Sequence, residues 1–417
     1  MIKNIISTIF TKGFVAIINL ALLLISSNLL GSNVRGQISL LILNIAIIQL
    51  INEIFTGYSL VYFIPKSNLK KIYSFGIIWS VICTVACTSI LMLLFYVFNL
   101  GINQNWIHLL ALSFIIILHS FHGVIILSRE KIKIYNLLNF FQPFSLLLVL
   151  LASIFAFNIK TINSYVIALY ISFGSSLIIS SYQMYQLFKN ENKIDADFKP
   201  KHILQNGFYN QLANLSHMLS NRYNFYLLGN TVLVGVFSSS SSLIESIWII
   251  SGSVSPIILT HIANSSNNQQ NSRLTLSLAK ICFAISFLLV VVLFFIPSNF
   301  FTALLSKDFY ETKNIMMYLS PGILSISFST IISHFFAGQG KQKIIVVANV
   351  LGLITTMIFS PILISKYKLY GACYATSLSY IVSSITLIYF FKKETNYSLL
   401  DFFRITKNLK NLETGVE

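Results

Sequence analysis

Three ionisable side chains stand inside stretches that are otherwise apolar: Glu53, Arg222 and Glu245. Polar residues recur around two of them at helical spacing. Gln49, Asn52, Glu53 and Thr56 fall at positions 0, 3, 4 and 7 and so share one helix face. Asn210, Asn214, His217, Asn221 and Asn224 fall at 0, 4, 7, 11 and 14, a single narrow stripe, with Gln211 and Arg222 beside it on the same side. Amides of this kind can tie helices together by hydrogen bonds. Five in register are more than such stitching needs, so the stripe is expected to line a water-filled lumen. A guanidinium grips phosphate oxygens with two parallel hydrogen bonds, which makes Arg222 a candidate anion contact. It is equally suited to a buried pair with Glu53 or Glu245, and a ligand phosphate could displace that carboxylate. Glu53, Glu245 and His217 are the candidates for proton coupling, histidine being the residue type that titrates near neutrality.

Other chemistry is missing. His119 and His122 stand three apart without a third ligand, a poor metal site, and are expected to pack helices or edge a cavity. His261 and His334 fall near the ends of apolar stretches and read as interfacial. Cys83, Cys87, Cys282 and Cys373 lie within apolar stretches, with neither a CxxC nor a Cys/His ligand set, so neither disulfide nor metal follows. Gly338-Gln339-Gly340-Lys341 has part of a phosphate-binding loop but not its Ser/Thr or its strand, and reads as a turn. The serines Ser238 to Ser242 suit close helix packing or lumen lining equally. No nucleophile with a base beside it is present. No cofactor is expected, and the chain is not expected to be an enzyme.

The elements that must position these residues are membrane helices. The 417 residues are 55% hydrophobic and 10% charged, with mean hydropathy +0.77, against about 25% charged in ordinary soluble domains. Apolar stretches long enough to cross a bilayer fall near 8–30, 38–64, 75–98, 106–127, 134–157, 163–187, 204–229, 235–261, 276–297, 314–336, 344–364 and 370–391. The first is expected to be a retained span rather than a cleaved leader. The expected fold is all-α and polytopic, with about twelve spans. Lys and Arg mark cytoplasmic connectors. Of the 28, twenty-one fall on the side of the termini, six on the other, and Arg222 alone within a span. Both termini are therefore expected in the cytoplasm. The basic residues are spread over seven segments rather than one face, which argues for topology and against nucleic acid.

A weak internal repeat divides the chain. Leu29-Leu30-Gly31 with Gly36 and Ser39 matches Leu227-Leu228-Gly229 with Gly235 and Ser238. Arg129, Lys131, Lys133 and Asn139 match Gln339, Lys341, Lys343 and Asn349 at a constant offset of 210. Glu53 precedes Pro65 by twelve residues, and Glu245 precedes Pro256 by eleven. An even number of spans per half gives a parallel repeat. The expectation is an N-terminal six-helix lobe over 1–188, a cytoplasmic linker over 189–203, a C-terminal six-helix lobe over 204–391 and a cytoplasmic tail over 392–417.

At these residues the chain resembles the bacterial polysaccharide transporters, the O-antigen (Wzx-type) flippases of the multidrug/oligosaccharidyl-lipid/polysaccharide (MOP) exporter superfamily. The resemblance is carried by Leu29-Leu30-Gly31 through Gly36-Gln37-Ile38-Ser39, by Asn52-Glu53 leading to Tyr62-Phe63-Ile64-Pro65, and by Gln211-Leu212-Ala213-Asn214-Leu215 running to Asn221-Arg222-Tyr223. Glu245 with Trp248 and Pro256, and Ala337-Gly338-Gln339-Gly340-Lys341, complete it. It spans essentially the whole helical part. It implies two lobes around a central cavity and export of an undecaprenyl-diphosphate-linked oligosaccharide, an O-antigen or other surface polysaccharide repeat unit, by alternating access in the inner membrane. A polysaccharide polymerase and a chain-length regulator are the partners it implies. The chain departs from the family at Asn224, where an acidic residue is frequent, and in the first span, which lacks the carboxylate of many drug exporters. Two rival functions are a multidrug/cation antiporter of the same superfamily and a membrane-embedded polymerase or glycosyltransferase. The antiporter would need an acidic aromatic cavity and no essential arginine. The enzyme would need a large loop with catalytic residues, and the outward loop near 298–313 is too small for one.

Overall fold

The computed structural model describes residues 2–57, 60, 64, 68–98, 105–189, 200–264 and 267–395. Most of the expected linker, the tail beyond Thr395, and Tyr62, Phe63 and Pro65 lie outside them. The described residues are helical, with no strand. In chain order the helices are α1 Ile2–Thr56, α2 Leu69–Val97, α3 Trp106–Ser128, α4 Ile132–Phe155, α5 Ile162–Lys189, α6 Pro200–Arg222, α7 Asn224–Leu227 and α8 Thr231–Glu245. After a 3-10 turn at Ser246–Trp248 follow α9 Ile249–Asn264, α10 Asn268–Phe295 and α11 Ser298–Leu305. A second 3-10 turn, Lys307–Phe309, leads to α12 Thr312–Gly338 and α13 Gln342–Thr395.

Among the described residues nine helical segments are long and apolar enough to cross a membrane. Two of them are double spans. α1 breaks at Gly31, whose φ of 79° and ψ of 171° are open to glycine, and α13 breaks at Lys368. α6, which carries the amide stripe and covers most of the seventh expected span, is not among the nine. Each expected span falls largely on helix among the described residues. Two differ in shape from the expectation: the second ends at Thr56 rather than near 64, and the eighth is interrupted immediately after Glu245.

The helices are inverted relative to a soluble protein. On α2, Ser80, Thr84, Cys83 and Cys87 face inward while Ile78, Ile82 and Leu93 are exposed. In water such a surface would be an aggregation hazard, but in lipid it is the solvated face. Small buried residues let backbones approach, and membrane helices associate through that packing. On α5 the serines at 172, 176 and 180 form the inward stripe, and Ser176 and Ser180 hydrogen-bond His119 at 2.8 Å and His122 at 2.9 Å across to α3. These two histidines stitch helices, and no metal-binding group exists among the described residues.

The chain forms two compact units. Unit 1 comprises the residues up to 211 with 229–236 and 302–309; unit 2 comprises 212–228, 237–301 and the residues from 310 onward. Unit 1 is built on Ile38, Ile45, Leu112, Ile117, Leu150 and Ala168. Unit 2 is built on Ile331, Ile332, Phe335, Ala348 and Phe391.

At one end of unit 1 the repeat-matched glycines meet. A Cβ on Gly36 would sit 1.8 Å from the Thr231 carbonyl oxygen, and one on Gly235 would sit 1.9 Å from that of Ser32. The contact is reciprocal, as expected of equivalent residues crossing each other, and neither site has room for a side chain. Just beyond the Gly31 break, the Asp308 carboxylate accepts from the Ser32 hydroxyl at 2.8 Å and from its backbone N–H at 3.4 Å. That caps the restarted helix where its N–H groups have no partner. Asn28 donates to the Leu304 carbonyl, and the Thr231 hydroxyl bonds the Asn33 side chain.

Candidate functional site

Residues 214, 217 and 221 share one face of α6, with Arg222 next to them. The guanidinium of Arg222 donates through Nη2 to Glu245 Oε2 at 2.7 Å and through Nη1 to Ser241 Oγ at 3.1 Å. Asn221 Nδ2 donates to the other carboxylate oxygen, Oε1, also at 2.7 Å. Glu245 ends α8, so the break that follows places its side chain at a helix terminus facing α6. The edge of the Phe225 environment completes the setting, with the guanidinium carbon 5.2 Å from that ring's centroid. Of the two carboxylates expected as possible partners, Glu245 is the one that pairs with Arg222.

Glu53 has a different setting. Gln49 Nε2 donates to it at 2.9 Å and Ser120 Oγ at 3.4 Å, and it forms no ion pair among the described residues. Its neighbour Asn52 is buried. The Asn52 side-chain oxygen accepts from Thr56 at 2.6 Å and from Ser80 at 3.4 Å, while its backbone carbonyl accepts from Trp79 Nε1 at 3.0 Å. The two repeat-equivalent glutamates therefore sit at similar helix ends with opposite electrostatics, one held by neutral donors and the other by a guanidinium.

The amide stripe does not face a single environment. Asn214 is exposed and His217 half-buried, and both line a cavity of about 240 Å³ within unit 2, together with Trp248, Thr330, His334 and Asn349. Asn221 is turned to Glu245. Asn224 is fully buried, and its Nδ2 donates to the Ala372 carbonyl at 3.2 Å and to Thr376 Oγ1 at 2.8 Å. Asn221 and Asn224 are not among the residues that line this cavity. Asn224 stands beyond α6, in α7, and Tyr223 joins the two with helical dihedrals, φ −54° and ψ −35°. Asn210 and Gln211 belong to unit 1; Gln211 is buried against the end of α1 near Gly57.

Several participants were not picked out by sequence. Ser241 and Ser120 looked like any packing serine, and Asn349 figured only as a repeat match. Trp248 was noted only as part of the resemblance. His334 lines the unit 2 cavity, its ring nitrogen Nδ1 lying 2.9 Å from the Thr330 carbonyl. His217 packs between rings, 5.6 Å from Trp248 and 6.1 Å from Tyr380. A second cavity, about 220 Å³ and within unit 1, touches Gln49, Gln142 and Tyr165 among mainly aliphatic side chains.

Comparison with known proteins fits this architecture. The family model described as lipid II flippase MurJ matches residues 245–412. The capsular polysaccharide biosynthesis protein CapF of Staphylococcus aureus is 24% identical over 334 residues, covering 75% of this chain and 81% of that one. Among solved structures, lipid II flippase MurJ in an inward closed conformation aligns with a TM-score of 0.72 at 16% identity, over 99% of this chain and 95% of that one. An inward-facing multidrug resistance MATE family transporter of the MOP superfamily aligns at 0.70 with 17% identity, over 92% and 94%. The neighbours are flippases and transporters, not enzymes. The chain has the polytopic all-α fold of these MurJ and MATE structures.

Proposed function

From this fold and site, we propose that the protein is a flippase for an undecaprenyl-diphosphate-linked oligosaccharide, the repeat unit of an O-antigen, a capsule or another surface polysaccharide. It moves the cargo from the cytoplasmic to the outer leaflet of the inner membrane by alternating access. The observation that carries the reading is Arg222: a partly buried guanidinium, held by Glu245 and Ser241, on the same helix as Asn214 and His217 of the unit 2 cavity. Moving a diphosphate and sugars through hydrocarbon requires a cation for the first and hydrogen-bonding groups for the second, while the polyprenyl tail stays in lipid. In the resting site Glu245 neutralises the cation, whose burial alone would be costly. An arriving diphosphate offers more acceptor oxygens and takes over the guanidinium, and Asn221 stays on the released carboxylate. Roles for Gln49, Asn52, Asn210, Gln211, Asn214, His217, Asn221 and Asn224 in lining the path belong to the same proposal, as does coupling through Glu53, Glu245 or His217.

The CapF relative supports a surface-polysaccharide cargo, and the MurJ matches support a lipid-linked one. The antiporter alternative, suggested by the MATE likeness, is less well served, because neither described cavity is lined by a carboxylate. The test is complementation. A strain lacking its own capsule or O-antigen flippase should regain surface polysaccharide when supplied with this chain, provided its repeat unit is compatible. Accumulation of the lipid-linked unit inside, across a panel of repeat units and with the protein abundant in the membrane, would contradict the reading.

A further inference from the structure

The cavity of unit 2 has a chemical character that the Arg222 site does not explain. None of its lining residues is Asp, Glu, Lys or Arg. Its walls combine an indole, two imidazoles, two carboxamides and serine and threonine hydroxyls with the aliphatic side chains of Ile326, Ile345 and Leu387. Such a lining offers nothing to neutralise a phosphate and nothing to hold a cation, but it suits a neutral ligand with many hydroxyls and an apolar ring face. Its volume of about 240 Å³ is below the ~300–1,000 Å³ of sites for drug-sized molecules, which leaves room for one ring-sized group.

Some of its polar groups are available. His108, His119, His122 and His334 each have a hydrogen-bond partner. The ring nitrogens of His217 and the indole N–H of Trp248 have none among the described residues; these two rings only pack against each other and against Tyr380. Because a carbonyl can only accept, His334 donates to Thr330 through Nδ1, and its Nε2 is left as an acceptor. Asn349 spends its Nδ2 on the Ala213 carbonyl at 3.0 Å, which leaves its oxygen to accept. The lining thus offers both donors and acceptors beside the Trp248 ring.

Position adds a third argument. The cavity takes its residues from α6, from Trp248 and Gly252, from the second half of α12 and from both arms of α13. Asn349 is eight residues from Lys341, about 12 Å along a helix, at the end that carries the basic residues of the expected cytoplasmic side. His217 precedes Arg222 by five residues on α6, about 7.5 Å of rise, so a sugar in the cavity and a diphosphate at Arg222 would be neighbours.

We propose that this cavity is a monosaccharide subsite, taking one uncharged sugar ring of the cargo against Trp248, with Asn214, His217, His334 and Asn349 as its hydrogen-bond partners. The assignment rests on the flippase reading for its choice of cargo.

The chain has three tryptophans, Trp79, Trp106 and Trp248, so replacing Trp79 and Trp106 by Phe leaves Trp248 as the only indole. The full chain in this form, in lipid nanodiscs, would be titrated with the methyl glycosides of glucose, galactose, N-acetylglucosamine and N-acetylgalactosamine, and separately with pyrophosphate. At least one glycoside should shift Trp248 emission saturably, and pyrophosphate should not. His217→Leu should weaken that titration by roughly three- to tenfold, the loss of one neutral hydrogen bond, and His217→Gln should restore most of it. No saturable shift with any glycoside, an equal shift with pyrophosphate, or an unchanged titration in a folded His217→Leu variant would overturn the subsite. Translocation of the lipid-linked cargo, measured in parallel, separates the two claims. Transport without a glycoside signal removes the subsite alone, and a glycoside signal without transport removes the flippase reading alone.

Discussion

Arg222 and Glu245 form a pair that is shielded but not sealed, with side chains 22% and 13% exposed. Removing one partner of a buried pair costs about 3–5 kcal/mol, mostly because the other charge is left uncompensated, and partial exposure puts this pair at the lower end. A loss of transport in Arg222→Ala therefore confounds structure with function. The double variant Arg222→Ala/Glu245→Gln removes both charges and should recover much of the thermal stability lost by the single one. It should still fail to transport, whereas Arg222→Lys should retain a fraction, keeping the charge without the planar fork. Wild-type transport by the folded double variant would show that the arginine is only structural. Glu53 allows a cleaner substitution, since its partners are neutral: Glu53→Gln should leave abundance and melting unchanged, while Glu245→Gln should lower both. If transport by a folded Glu53→Gln protein no longer responds to an imposed pH gradient, Glu53 is the coupling group. An unchanged response excludes it and turns attention to His217.

At the scale of elements, the crossing of Gly36 on Thr231 and of Gly235 on Ser32 admits no side chain, and the Asp308 cap fastens the same end. The proposed alternating access requires this end to open. A Ser32→Cys/Asp308→Cys protein, in a background without the four native cysteines, should form a disulfide, stop transporting when oxidised and resume when reduced. Full transport in the crosslinked state would mean that this end stays closed throughout the cycle. The glycine match was legible in the sequence as a repeat, but its meaning was not, because a repeat gives equivalence and not contact. Span positions were legible for a simpler reason: in lipid every backbone polar group must be satisfied within the helix, so hydropathy alone locates the elements. The interruption after Glu245 was illegible, since Ser246-Ile247-Trp248 contains no glycine or proline to announce it. The amide stripe was half legible. The spacing puts Asn214 and His217 on one face, and both edge one cavity; the partners of Asn224, Ala372 and Thr376, lie far along the chain, where no local pattern could name them.

For the whole molecule, the excess of basic residues on one set of connectors leads to a topology with both termini inside. Reporter fusions after Lys201 and after Lys393 should behave as cytoplasmic and those near Lys307 as external; the reverse would remove the parallel pairing of the halves. The fold was evident from twelve apolar stretches and a repeat, because their order leaves few arrangements open. The cargo was not evident in the same way, since a diphosphate contact needs one arginine in the right surroundings, and those surroundings are set by packing between distant helices. Translocation in a defined membrane tests the central claim most directly. The purified full chain would be reconstituted into vesicles containing an undecaprenyl-diphosphate oligosaccharide in both leaflets, and a membrane-impermeant glycosidase added outside. Protein-free vesicles should lose only the outer-leaflet share. Vesicles with the parent protein should lose nearly all of the cargo, and those with the folded Arg222→Ala/Glu245→Gln variant should resemble the protein-free ones. Digestion that stops at the outer-leaflet share with the folded parent protein present would contradict the account.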